Sequence, residues 1–379
     1  MHGLKRLIIF ISMFAAISEA QYLLPITKNE TTKQYYTTIN IGSAANSPVN
    51  LLLDIGTDLS WLNCRKIKSL SSLHLVPCQS PTCKSIPSNA CDGKHCLYLQ
   101  QSPYVKNHTV STVDRVVQDK ATISTKVSFR PFTFSCVAQT HIQGLSPPIA
   151  GVLGLSPGEF PFWRQVTRAF NIIPRFAICL PSSGNGNFFI GGGGFGVSMT
   201  LTPLKIVGSD YLISPTSIYV DGIPLSLNPS FLESGAKLST VVPYTVLQTD
   251  IYNALASAFT RKAIKIGMSE IPRLAPFKHC FQEGSSMRIN EELMNVTSVE
   301  IGLPGNGREV KWTFHGKNTV VRVLETVICL AFVDGGEKPK ESMVIGTHQL
   351  QDYILNFDMS TTRLAFSDSL LLHNFSCSA

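Results

Sequence analysis

The sequence predicts a mostly β chain made of two related halves with a cleft between them, on three observations. Gly and Pro punctuate short runs rich in Val, Ile, Thr and Phe along the whole length, the pattern of short strands bounded by turns. Helical periodicity is confined to a few stretches. The apolar-apolar-Gly triplet Val152-Leu153-Gly154 also recurs as Val344-Ile345-Gly346. Each triplet follows an acidic residue in an x-Gly loop by about a hundred residues (154 − 54 = 100 from Asp54; 346 − 233 = 113 from Glu233). Duplication of one β unit accounts for both.

The chain opens with a basic segment (His2, Lys5, Arg6), an apolar run from Leu7 to Ile17, and small residues around Ser18-Glu19-Ala20. Residues 1–20 therefore read as a secretory signal, too short to span a bilayer. The mature chain is expected to begin near Gln21, leaving 379 − 20 = 359 residues, enough for two lobes with proper cores. No later apolar run reaches spanning length, so no membrane association is expected. The expected lobes are residues 21–200 and 201–379.

The strand candidates, in order, are Tyr35–Ile41, Val127–Val137, Phe188–Ile190, Leu212–Val220, Val296–Ile301 and Thr319–Val323. Val246 to Ala263 places Leu247, Ile251, Ala254, Leu255, Ala258 and Phe259 at helical spacing, and Phe162 to Phe170 is a shorter helix candidate. The run Gly191-Gly192-Gly193-Gly194 lacks the Gly-Lys-Ser/Thr ending of a phosphate loop and reads as a hairpin.

All ten cysteines (Cys64, Cys78, Cys83, Cys91, Cys96, Cys136, Cys179, Cys280, Cys329 and Cys377) lie beyond the signal segment. An even number in an exported chain predicts five disulfides. Four of them crowd into residues 78–96, without the paired histidines of a zinc site, so no metal and no cofactor is expected. Asn29, Asn107, Asn295 and Asn374 each begin a glycosylation sequon. The formal charge is +7, or 7 − 2 + 1 = +6 without the signal segment. The basic residues are scattered, which argues against nucleic-acid binding. A mild positive balance suits an acidic extracellular matrix.

The stretch that organises the rest is Leu51-Leu52-Leu53-Asp54-Ile55-Gly56-Thr57, followed by Leu59-Ser60-Trp61. An apolar strand runs into Asp-x-Gly-Thr and then into a second apolar run. This resembles the first catalytic loop of a pepsin-like aspartic protease. With the repeated triplet, the resemblance extends over essentially the whole mature chain and implies a bilobal pepsin-like fold of two β-barrel lobes. The runs Pro243-Tyr244-Thr245-Val246-Leu247, Val344-Ile345-Gly346-Thr347-His348-Gln349-Leu350-Gln351-Asp352, Asn356-Phe357-Asp358 and Arg363-Leu364-Ala365-Phe366-Ser367 narrow it. They are similar to the plant group of xylanase inhibitors, basic 7S globulins and extracellular dermal glycoproteins. That group is typically catalytically incompetent.

Aspartic proteolysis needs two loops, because two carboxylates must share one proton. Aligning Pro243 with the proline that follows the second loop puts Glu233-Ser234-Gly235 in place, with one residue inserted. Anchoring on Leu238 puts Ser239 there instead. Glu233 continues the motif better and is the preferred candidate. Its extra methylene displaces the oxygens by about 1 Å, enough to cost roughly 100-fold in rate. Ile55 stands where the proteases carry a Thr whose hydroxyl braces the loops, and Ile has no hydroxyl to donate. The flap is expected to offer a Tyr beside a Gly-rich turn; Tyr104-Val105-Lys106-Asn107 lacks the turn, and Tyr98 is no better placed. The resemblance also implies an inhibitory histidine just before the last cysteine, a position that His373 fills four residues before Cys377. His348 reads as structural, and His74, His95 and His108 show no ligand spacing. No Gly-x-Ser-x-Gly elbow occurs.

The sequence therefore points to a secreted, monomeric, catalytically inactive homologue of the cell wall or extracellular space. The resemblance implies, as its partner, a microbial glycoside hydrolase such as an endoxylanase. An active endopeptidase using Asp54 with Glu233 and a storage or binding globulin are the alternatives.

Overall fold

The structure, a computed structural model, describes residues 21–44, 46–101, 111–124, 127–283 and 296–378. The signal segment, the flap candidate around Tyr104, His108 and the sequons at Asn107 and Asn295 lie outside the described residues. Strand makes up 44% and helix 16% of the described residues, so the fold is mostly β, as expected.

Six antiparallel strands tie the two halves together. Their order is Met199–Pro203, Arg363–Ser367, Ile354–Asp358, Arg175–Cys179, Asn185–Gly191 and Gln21–Lys28. The junction falls between Arg175–Cys179 and Ile354–Asp358, with Phe176 opposite Phe357 and Cys179 opposite Ile354. Phe176 and Phe357 stack at 4.6 Å between ring centres, and Arg175 pairs with Asp358 at 2.8 Å. Aromatic burial of this kind, together with backbone pairing, makes the junction a continuous core rather than a hinge.

Each half then repeats one motif. In the first, Pro48–Asp54 pairs in parallel with Gly151–Gly154, which also pairs antiparallel with Trp61–Leu62. In the second, Ala236–Leu238 pairs in parallel with Met343–Ile345, which pairs antiparallel with Thr245–Leu247. The chain crosses itself so closely at the end of each motif that only glycine fits. A Cβ on Gly154 would lie 2.5 Å from the Thr57 carbonyl oxygen, and one on Gly346 would lie 2.6 Å from the Tyr244 carbonyl carbon. The repeated triplet is the sequence trace of that crossing.

Elsewhere the sequence expectations need adjustment. Leu212–Val220 is two strands, Asp210–Ile213 and Ser217–Val220, because Pro215 lies between them and has no N–H to donate to a ladder. Val296–Ile301 becomes Val299–Pro304. The long helix runs Thr249–Lys265 rather than from Val246, since Val246 and Leu247 are strand residues and the Gln248 side chain caps the Asp250 and Ile251 N–H groups. Gly191–Gly194 is not a hairpin: the strands it joins, Asn185–Gly191 and Met199–Pro203, are not neighbours in the sheet. All ten cysteines are paired, as Cys64–Cys136, Cys78–Cys91, Cys83–Cys96, Cys179–Cys377 and Cys280–Cys329.

Candidate functional site: the interlobe cleft and the C-terminal knuckle

Asp54 ends its strand opposite Gly154 and is 6% exposed. Its carboxylate is held by its own loop. Gly56 N–H donates to Oδ1 at 2.8 Å and Thr57 Oγ1 donates to Oδ2 at 2.8 Å. Charge-assisted bonds of this type fix the carboxylate's orientation.

The register of the second motif identifies its counterpart. Leu53 pairs with Leu153, the residue before Gly154; Leu238 pairs with Ile345, the residue before Gly346. One step further along, Leu155 N–H donates to the Asp54 carbonyl in the first motif. In the second, Ser239 N–H donates to the Ile345 carbonyl at 3.0 Å. Ser239 therefore occupies the position of the second carboxylate. It is 4% exposed, and its Oγ accepts from Val241 N–H and Val242 N–H at 3.3 and 3.1 Å. The loop geometry is kept while a hydroxyl replaces the acid.

This overturns the assignment of Glu233. Glu233 is exposed, at the end of the 3-10 turn Pro229–Leu232, and its side chain has no hydrogen-bond or ion-pair partner among the described residues. The strand Ala236–Leu238 separates it from Ser239, so the two residues sit at opposite ends of that strand. The inserted residue that the Glu233 alignment required was the warning, and the Leu238 anchor was the sound one.

Thr240 adds the brace between the loops. Its Oγ1 donates to the Leu53 carbonyl at 2.8 Å and accepts from Ile55 N–H at 3.2 Å. One hydroxyl thus serves both loops across the halves. Ile55, 1% exposed, cannot return the bond, so half of a symmetric brace survives. Tyr211 Oη to the Leu155 carbonyl and Gln351 Nε2 to Tyr35 Oη add further cross-links between the halves, at 3.0 and 2.8 Å.

The chemical consequence is direct. Two adjacent carboxylates split their pKa values, so that one is acid while the other is base. A hydroxyl has no such titration in the acid range. With Ser239 in the place of the second acid, that position offers Asp54 no carboxylate with which to share a proton. Tyr98 offers no rescue: it is 8% exposed, packed in a cluster with Leu59, Val76, Ile86 and Val116, and burial pushes its hydroxyl above the ordinary range.

The C-terminal residues form a separate exposed feature. Leu370–His373 is a 3-10 turn closed by Asn374 in the left-handed region, φ 57°. His373 is exposed, and Leu372 and Phe375 beside it are 47% and 59% exposed. The turn is held from beneath. Cys377 is bonded to Cys179 of the central sheet. Buried Asp352 accepts from Cys377 N–H at 3.0 Å through Oδ1 and from Leu370 N–H at 2.9 Å through its carbonyl. The sequon residue Asn374 is exposed next to His373. Asn29, by contrast, caps its own turn: its Oδ1 accepts from Thr31 and Thr32 N–H, and its amide donates to Ser146 Oγ at 3.1 Å.

His348 belongs to the interior. Its Nε2 lies 3.0 Å from the Val320 carbonyl, so that nitrogen carries the proton, and its ring packs against Tyr244. Desolvation lowers its pKa to about 4.

Fold and site together define a pepsin-like aspartic-protease scaffold with one carboxylate where hydrolysis uses two. Comparison with known proteins gives the family. A family profile described as xylanase inhibitor N-terminal matches residues 35–192, and one described as xylanase inhibitor C-terminal matches residues 210–368. The chain is 30% identical to probable aspartic proteinase GIP1 of Glycine max, over 94% of this chain and 91% of that one. It is 33% identical to gamma conglutin 1 of Prunus dulcis, over 86% and 81%. The crystal structure of edgp superposes with a TM-score of 0.86 at 27% identity, covering 95% of this chain and 97% of that chain. The chain belongs to the xylanase-inhibitor-type family of aspartic-proteinase-like proteins.

Proposed function

We propose that this is a secreted, catalytically inactive aspartic-protease homologue that binds and inhibits a microbial glycoside hydrolase of the endoxylanase type. The observation that carries the reading is Ser239 at the position equivalent to Asp54; a hydroxyl there cannot share the catalytic proton, which favours a binding role for the scaffold. The family profiles over residues 35–192 and 210–368 support the class of target. Five disulfides and the signal-like residues 1–20 support export. In this reading the protein is a monomer with lobes near 21–200 and 201–379.

His373 is the contact residue. Retaining glycosidases hold two carboxylates about 5 Å apart, and an imidazolium between them is well paired, the more so at mildly acidic pH. Exposed Leu372 and Phe375 supply apolar contact around it, and the Cys179–Cys377 bond limits the ordering cost of binding. A glycan on Asn374 obstructs insertion, so the reading requires that sequon to be empty in the inhibitory form.

The test is inhibition of a panel of bacterial and fungal endoxylanases by the purified protein and by His373→Ala. The expected result is tight inhibition of at least one enzyme, weakened roughly 30-fold or more in the variant, the scale of a central contact residue. Inhibition of none, by wild type free of glycan at Asn374, contradicts the proposal and leaves a storage or binding globulin.

A further inference from the structure

The long helix Thr249–Lys265 and the hairpin formed by Ser217–Val220 and Ile223–Pro224 enclose an apolar pocket of about 420 Å³, remote in the chain from both Asp54 and His373. Its volume falls in the range of small-molecule sites, roughly 300–1,000 Å³. Val220, Ile223, Pro224 and Leu225 line one side, and Ala258 of the helix lines the other. Ile223 is 58% exposed there, an apolar side chain left in water unless something covers it.

Three cations from one face of the helix stand at the rim: Arg261, Lys262 and Lys265. Lys262 is paired with Asp221 of the hairpin turn at 3.4 Å, which ties helix to hairpin and shapes the pocket. Among the described residues no carboxylate lies within ion-pair distance of Arg261 or Lys265. The nearby carboxylates are already engaged. Asp221 also accepts from Ser298 N–H, and Glu300 holds Gly222 N–H and Lys311.

Cations in a last helical turn are favourable to the helix dipole by themselves. That accounts for Lys262 and Lys265 but leaves the exposed apolar lining and Arg261 unexplained. The negative end of the helix also opposes an anion at this point, so a bound anion requires more than one free cation. Two are present.

We infer that this pocket binds an anionic amphiphile, a medium-chain carboxylate whose hydrocarbon tail lies against Ile223, Pro224 and Leu225 and whose head group pairs with Arg261 and Lys265. Buried tail area supplies the affinity, and the bidentate-capable guanidinium selects the carboxylate.

Isothermal titration of the purified full chain with decanoate, kept below its micellar concentration, tests this, with decan-1-ol as the uncharged control. The expected result is saturable one-to-one binding of decanoate and at least tenfold weaker binding of the alcohol. A double variant Arg261→Glu/Lys265→Glu and a single Ile223→Glu, both at exposed positions, are each expected to weaken decanoate by tenfold or more. Absence of saturable binding, equal affinity for the alcohol, or unchanged affinity in both variants overturns the inference. So does binding of an acidic peptide but not of decanoate, which makes the rim a protein contact.

Discussion

Thr240 joins the two halves at the point where they meet behind Asp54, with one hydroxyl serving both the Leu53 carbonyl and the Ile55 N–H. Both groups are buried, so removing the hydroxyl leaves them unpaired, at a cost of about 1–3 kcal/mol. Thr240→Val is therefore expected to lower unfolding free energy by that amount in urea denaturation, whereas Ile55→Thr is expected to restore the missing half of the brace. Ser239 makes a sharper test of the register. Ser239→Asp puts a second acid at the position equivalent to Asp54, and like charges raise one of the two pKa values. A group whose folded pKa is raised contributes stability below its unfolded pKa and loses it as pH rises. The variant should therefore lose stability relative to wild type on going from pH 4 to pH 7. A profile parallel to wild type would show the new carboxylate to lie away from Asp54. The first acid was plain in the sequence, because Asp54-Ile55-Gly56-Thr57 keeps three of four expected residues. The second was legible only as the alternative anchored on Leu238, because nothing chemical marks a serine as the successor of an aspartate; the pairing of Leu238 with Ile345 decides for it.

At the level of elements, turns and tertiary pairing decided where local pattern failed. Val246 and Leu247 keep helical spacing with Ile251, Ala254 and Leu255, yet they serve a sheet that pairs with Val344 and Phe332–Asp334. Packing outweighs propensity there. The triplets at Gly154 and Gly346 were legible because backbone crossing excludes every side chain, which leaves an unambiguous residue type. The C-terminal knuckle is the element on which the proposed contact depends. Cys179 and Cys377 are separated by 198 residues, and loops that long give large entropic stabilisation in the chain-constraint picture. Replacing both by Ala is expected to cost roughly 2–5 kcal/mol in chemical denaturation, and to weaken any inhibition through a freed turn. Asp352→Ala, which removes the acceptor for Cys377 N–H, should weaken inhibition in the same sense while leaving the disulfide intact. A full loss of stability with unchanged inhibition would separate the knuckle from the function.

For the molecule as a whole, the two halves act as one folded unit through the six-stranded sheet, and acid is the condition that should open it. His348 titrates near 4 when folded instead of near its ordinary 6.5 because burial disfavours its charge. A depressed folded pKa means the unfolded chain binds the proton more readily, so this stability is complete above pH 6.5 and is lost as pH falls towards 4. Asp334 adds a second window. The ammonium of Lys278 at 2.6 Å, Gly336 N–H and Thr249 hold it down to about 2, so its contribution disappears between its ordinary value of 3.8 and 2. Thermal unfolding midpoints should therefore fall in two stages on acidification, and His348→Gln should flatten the first. The overall architecture was readable from the sequence because duplication and strand punctuation act over hundreds of residues. The apolar pocket beneath Arg261 and Lys265 was not, since it exists only where a helix and a hairpin distant in the chain come together.

The proposed loss of proteolytic activity rests on Ser239 standing where the second acid is required. The most direct measurement is digestion of an unfolded protein substrate from about pH 3 to 6, the range in which carboxylate pairs titrate, by the purified protein beside an Asp54→Asn control. No cleavage above background is expected in either sample across that range. Cleavage by the wild type that disappears in Asp54→Asn would contradict it, and would require a second acid to reach the site that the register of Ser239 denies.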